Sequence, residues 1–153
     1  MLNFYCFIPP QVSKKFFNIA QFPGAVDAID CSRVPLSPGR DDAERFRNRK
    51  GYFSINTQTV VSADLSIQNV VARWPGSTHD STILANSTLP ELMQNPILQH
   101  YHLIGDSGYP CRPYIMTPLT RPITQAEKRH VFVFLLILCA KRISRFLALC
   151  ILI

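Results

Sequence analysis

The sequence predicts an α/β fold, a mixed sheet with flanking helices, whose C-terminal part is incomplete. Tyr52 to Val61 alternates Phe53, Ile55, Thr57, Thr59 and Val61 with Tyr52, Ser54, Asn56 and Gln58, and Ile67 to Trp74 follows after a turn, the pattern of an antiparallel hairpin. Two apolar stretches, Gly24 to Cys31 and Tyr101 to Gly105, have the length of strands, and each delivers an aspartate near its end. Helices are expected before the first strand and after Pro75-Gly76.

Lys14 to Ala20 reads as a short amphipathic helix that stops before Phe22-Pro23, because the residue before a proline is pushed out of the helical region. Gly24 to Cys31 is the first strand, with Asp30 near its end. Val34-Pro35-Leu36-Ser37-Pro38-Gly39 cannot continue a central strand, so a loop is expected there, followed by a charged loop from Arg40 to Lys50. Ala63-Asp64-Leu65-Ser66 makes the hairpin turn, which accounts for Asp64. Pro75-Gly76 breaks the second hairpin strand, and Ser77, Thr78 and Asp80 can each cap a helix over Ser81 to Asn86. Asp80 therefore has an ordinary explanation as a carboxylate at a helix start. Tyr101 to Gly105 runs into Asp106, and Gly108 with Pro110 forces a turn that sets Asp106 at the rim of the sheet, where sites of open α/β folds form.

The 153 residues are one domain's worth, and a composition of 47% hydrophobic and 17% charged residues excludes a mainly disordered chain. A formal net charge of +6 favours a polyanionic partner without naming one. After Asp106 the basic residues Arg112, Arg121, Lys128, Arg129, Lys141, Arg142 and Arg145 face a single acid, Glu127, which would lay positive charge beside the aspartates; an ordinary basic surface explains the charge equally well. The five cysteines are scattered with no C-x-x-C pair, as in a reducing compartment. Met1 to Ile8 lacks the basic start of a signal peptide. The apolar runs 131–140 and 146–153 are separated by Lys141, Arg142 and Arg145, and neither reaches the roughly 18 residues of a spanning helix, so no membrane anchor is expected.

Asp30, Asp80 and Asp106 are the residues with chemistry to offer, since carboxylate oxygens are the ligands Mg²⁺ and Mn²⁺ prefer, and a carboxylate cage suits displacement at phosphorus. His79 beside Asp80 could orient substrate or ligate a metal, whereas His100 and His102 have no partner at zinc spacing. Ser107 lacks the Gly-x-Ser-x-Gly elbow of a serine hydrolase. Trp74 reads as a core or hairpin-edge aromatic rather than a base-stacking platform. Arg45, Arg47, Arg49 and Lys50 could form a phosphate-contacting edge, although Asp41, Asp42 and Glu44 make a solvated loop nearly as simple.

Ala28-Ile29-Asp30-Cys31-Ser32, Asn48-Arg49-Lys50-Gly51-Tyr52, Ser54-Ile55-Asn56-Thr57-Gln58, Trp74-Pro75-Gly76-Ser77-Thr78-His79-Asp80-Ser81 and Gly105-Asp106-Ser107-Gly108-Tyr109-Pro110 together resemble the nuclease domain of Harbinger/PIF-type DDE transposases and of the Harbinger transposase-derived nuclease family. The resemblance runs from about Phe22 to about Arg129 and is specific because several multi-residue motifs occur in the right order. It implies an RNase H-like fold: a helical lead-in over 1–21, a partial nuclease domain over 22–129 and an atypical apolar and basic tail over 130–153. It implies a metal-dependent nuclease acting on DNA phosphodiester bonds, with Asp30 and Asp106 in the first two places of the catalytic triad. Asp80 becomes an additional metal-site acid, Mg²⁺ or Mn²⁺ the cofactor, and DNA the partner, assisted by a separate DNA-binding protein. The nucleus is the expected location, with the cytoplasm as the alternative. The triad's closing Glu is expected downstream on a helix, yet no acid occurs from His130 to Arg145, so truncation and impaired turnover are expected. The rival reading is an inactive remnant, a DNA- or protein-binding module or a fragment without function.

Overall fold

A computed structural model of the 153-residue chain describes residues 10–20, 22–37, 39, 43–119, 121–125 and 127–128. Helix α1 spans Pro10–Ala20 and so begins earlier than Lys14; proline suits the first helical position, where a missing N–H loses no intrahelical bond. Its Phe16 is buried with Phe22, Ala25, Ala28 and Ile104. Its exposed Lys15 reaches Asp64 Oδ2 at 2.6 Å, tying α1 to the hairpin turn. That ammonium, with the Ser62 and Ser66 hydroxyls, holds the Asp64 carboxyl well below the usual carboxylate range.

Five strands follow: β1 (Ala25–Pro35), β2 (Ser54–Ser62), β3 (Ile67–Pro75), β4 (His102–Ile104) and β5 (Ile115–Met116). They form one sheet in the order β3-β2-β1-β4-β5. The pairs β1–β2 and β2–β3 are antiparallel, while β4 runs parallel to β1 and β5 parallel to β4. This mixed sheet with flanking helices is the expected α/β, RNase H-like architecture. The predicted hairpin is β2–β3. Its register slips between Asn56 and Gln58 and again between Val60 and Val61, each time with one more residue on β3 than on β2.

Helices α2 (Asp80–Ala85) and α3 (Leu89–Met93) lie between β3 and β4. Ile83, Leu84, Leu89 and Met93 from these helices join Ile29, Val60 and Leu103 in the larger core cluster. The residues of α1 and its neighbours form the second cluster, so Ile29 and Ala28, like Leu103 and Ile104, serve different clusters as strand alternation requires. All of β2 is buried except Ile55, which is partly so. Its alternation therefore separates two covered faces rather than core from solvent.

The loop expected at Val34 and Pro35 is corrected: β1 continues through Pro35, which stands opposite Ser54. Leu36 N donates to Phe53 O at 3.1 Å, so the neighbouring Pro35 nitrogen points away from β2. On that side β4 pairs β1 only as far as Ala28, and proline is tolerated because no ladder bond is lost. The charged loop contains a 3₁₀ turn at Ala43–Phe46, and another occurs at Pro96–Leu98. These turns, the five-residue α3 and the two-residue β5 are too short to show a period in the sequence. Among the described residues no helix is long and apolar enough to cross a membrane. The tail 130–153, with its expectations of truncation and a missing acid, lies outside the described residues.

Candidate functional site

Parallel pairing brings the chain segments that carry Asp30 and Asp106 alongside each other. Ala28 of β1 pairs Ile104 of β4, and two residues further along each chain come Asp30 and Asp106. Asp30 is not at the end of β1 but inside it, opposite Thr59 of β2. It lies instead just beyond the point where β4 stops pairing. Asp30 Oδ1 accepts from Cys31 N at 2.8 Å. The β1–β2 register is unbroken from Asp27 to Pro35, so Asp30 shares the row of Ala28, and the buried Asp27 shares that of Ile29 and Cys31.

Asp106 opens the turn after β4, where Gly108 N donates to its Oδ1 at 2.9 Å and Tyr109 N to its backbone oxygen at 3.2 Å. Asp80 is the first residue of α2. It is held from below by Asn56 of β2, whose Nδ2 donates to Asp80 Oδ1 at 3.0 Å and to Thr78 O at 2.9 Å. The segment leading to Asp80 is drawn against β2 by Gly76 N, which donates to Ser54 O at 2.8 Å.

Asp80 and Asp106 meet over Gly108. A methyl group placed on Gly108 would lie 2.9 Å from Asp80 Oδ2 and 3.0 Å from Asp106 Oδ1, so the two carboxylates flank one small space. Two carboxylate oxygens so placed fit a hard divalent cation by donor type. Among the described residues no group of three or more His, Cys, Asp and Glu gathers closely enough to hold a metal ion. The structure thus brings Asp80 and Asp106 together and leaves Asp30 on the neighbouring strand.

The Asp106 turn is fastened to β1 by Tyr109, a buried residue whose hydroxyl lies 3.1 Å from Cys31 Sγ. Burial pushes the Cys31 thiol well above its ordinary range, and the Asp80 and Asp30 carboxylates add to the effect against the opposing Tyr109 hydrogen bond. Burial likewise raises the Tyr109 phenol, with Cys31 adding to it. Cys31 is therefore a neutral packing thiol rather than a nucleophile. Both groups keep their protons in the folded state at pH values where the unfolded chain releases them. Stability contributed this way is complete below the unfolded thiol pKa and is lost as pH rises: the expected slope is up to about 1.4 kcal/mol per pH unit above roughly pH 8.5, steeper above roughly pH 10 when tyrosine joins. Urea melts between pH 7 and pH 11 check this, and a flat profile would contradict it.

His79 accepts a hydrogen bond at Nε2 from Arg49 Nη2. Trp74 is half-buried against the larger core cluster, in keeping with its structural reading, and Ser107 is exposed in the Asp106 turn. An open cleft of about 590 Å³ lined by Tyr101, Arg112 and Tyr114 among others opens where β4 and β5 begin, the end opposite Asp106. Asn56, Gly108 and the Cys31–Tyr109 pair were not singled out for these roles by sequence reasoning.

A family described as "DDE superfamily endonuclease" matches residues 29–132. The chain is 32% identical over 116 residues to "Putative nuclease HARBI1" of Bos taurus and equally so to that of Homo sapiens, covering 76% of this chain and 33% of each relative. It is 29% identical to "Protein ALP1-like" of Arabidopsis thaliana, over 78% of this chain and 34% of the relative. The chain spans about a third of the length of these curated relatives. No solved structure matches it significantly. The match across 29–132 takes in β1 from Ile29 onward, the hairpin, Asp80 and the Asp106 turn, and by it the chain belongs to the DDE superfamily endonucleases, among relatives of the transposase-derived Harbinger nucleases.

Proposed function

We propose that this chain carries the carboxylate part of a divalent-metal-dependent site that cleaves DNA phosphodiester bonds, with Asp30, Asp80 and Asp106 as ligands for Mg²⁺ or Mn²⁺. The observation that carries the reading is the convergence of Asp80 and Asp106 over Gly108. Asp30 is supported by its position two residues beyond the Ala28–Ile104 pair, the same offset at which Asp106 follows β4. When bound, the metal would supply a Lewis acid and a deprotonated water for attack at phosphorus.

The chain's own residues provide orientation. Asn56 fixes one oxygen of Asp80, which leaves Oδ2 directed at the Gly108 space. The Gly108 N–H fixes Oδ1 of Asp106, and the Tyr109–Cys31 contact keeps that turn on the sheet. Ligands held by such outer contacts bind metal more tightly than free side chains, typically by 10–100-fold. Turnover is proposed to be weaker than in a complete site, because no acid follows between His130 and Arg145. That same sequence feature favours the second reading, an inactive DNA-binding module. A separate DNA-binding protein and a nuclear location belong to the proposal.

Calorimetric titration of Mn²⁺ into the intact chain, Asp30→Ala and Asp106→Ala is the test. Binding to the intact chain that both variants lose supports the carboxylate site and calls for a cleavage assay on duplex DNA. A folded intact chain that binds no Mn²⁺ defeats the nuclease reading and leaves the DNA-binding module.

A further inference from the structure

The basic loop after β1 sends one arginine across to His79, the residue that precedes Asp80. Asn48, buried, accepts from Lys50 N at 2.9 Å through Oδ1 and donates to Ser54 Oγ at 2.8 Å through Nδ2. Its backbone nitrogen donates to Tyr52 O at 2.9 Å and its carbonyl accepts from Gly51 N at 3.0 Å. Gly51, at φ +85°, supplies the left-handed residue that closes this turn. The turn is thereby fixed to the start of β2, the strand that carries Asn56.

The loop's arginines then divide by role. Arg47 is consumed internally: it donates to both Glu44 oxygens at 2.7 and 2.6 Å and to Gly51 O at 2.9 Å, and it stacks over Phe53 at 4.8 Å. Arg45 lies over Phe46 at 5.9 Å. Arg49 crosses to the segment before α2 and donates to Nε2 of His79, the residue next to Asp80. Among the described residues no carboxylate forms an ion pair with Arg49, and a guanidinium has five N–H donors, more than the His79 contact uses.

A phosphate approaching Asp80 and Asp106 meets two negative groups. A guanidinium held beside them offsets that repulsion and can grip phosphate oxygens with two parallel hydrogen bonds. We propose that Arg49 contacts a backbone phosphate of the DNA flanking the one at the aspartates, and that His79 is a positioning residue that aims the guanidinium. The proposal rests on the nuclease reading for the identity of the substrate, but its contact does not require the metal.

The test is duplex DNA binding by fluorescence anisotropy, in EDTA, across 50–200 mM NaCl. Arg49→Ala is expected to weaken binding and to lower the slope of log affinity against log salt by about one, the signature of one lost phosphate contact. Arg49→Lys keeps the charge and is expected to restore the slope. An intact chain that binds DNA while Arg49→Ala shows the same affinity and slope overturns this inference and leaves the nuclease reading standing. A slope lost in Arg49→Ala and not recovered in Arg49→Lys also overturns it, because the loss is then not one of charge. An intact chain that binds no duplex overturns this inference and leaves the nuclease reading to the Mn²⁺ titration.

Discussion

Gly76→Ala is expected to lower the free energy of unfolding by about 2–5 kcal/mol, the sum of an overpacking cost and the loss of a buried polar contact. The added methyl would lie 1.9 Å from Ser54 Oγ and 2.9 Å from Ser54 O. The hydroxyl is not free to swing aside without loss, since it accepts from Asn48 Nδ2 at 2.8 Å and both residues are buried. Nor can the backbone retreat cheaply, because Gly76 N is bonded to Ser54 O. Urea unfolding monitored by circular dichroism reads the change. Adding Ser54→Gly removes the hydroxyl from the clash, so the double variant is expected to recover part of the loss. A midpoint for Gly76→Ala equal to that of the unaltered chain would refute the account.

Gly108→Ala is expected to do the reverse, sparing the fold while weakening Mn²⁺ binding by about 10–100-fold, the range seen when the supports of a metal ligand are disturbed. The atoms that a methyl would meet here are the ends of two carboxylate side chains, Asp80 Oδ2 at 2.9 Å and Asp106 Oδ1 at 3.0 Å, rather than the backbone. They can shift at the expense of partly exposed hydrogen bonds, which water replaces, so stability is expected to change by no more than about 0.5 kcal/mol, as at ordinary surface positions. Calorimetry of metal binding beside a thermal melt separates the two effects. Unchanged Mn²⁺ affinity with an intact fold would mean that the Asp80–Asp106 pair does not hold the metal.

The hairpin was legible because its period of two and its Asp64 turn are local signals, and β2–β3 appears where they predict it. The strand before Asp106 was legible for the same reason. Pro35 misled because proline's effect depends on which side of a strand has a neighbour, and that is decided by β4 far along the chain. The same non-locality hid the parallel register of β1 and β4, after which Asp30 and Asp106 follow: no spacing within either segment fixes it. Asp80 was read correctly as a helix start, yet its proximity to Asp106 depends on Gly108 having no side chain. The residues proposed as ligands came from the resemblance of whole motifs, and periodicity alone would not have selected them.

The two extra residues of β3 bear on more than register. A straight nine-residue outer strand would offer a continuous line of unused N–H and C=O groups to any passing chain. At each slip that line is interrupted and the strand twists. Arg73 adds a charge on the same strand. This margin of the sheet is therefore a poor template for strand addition, which guards a basic, half-apolar chain against joining another sheet edge to edge.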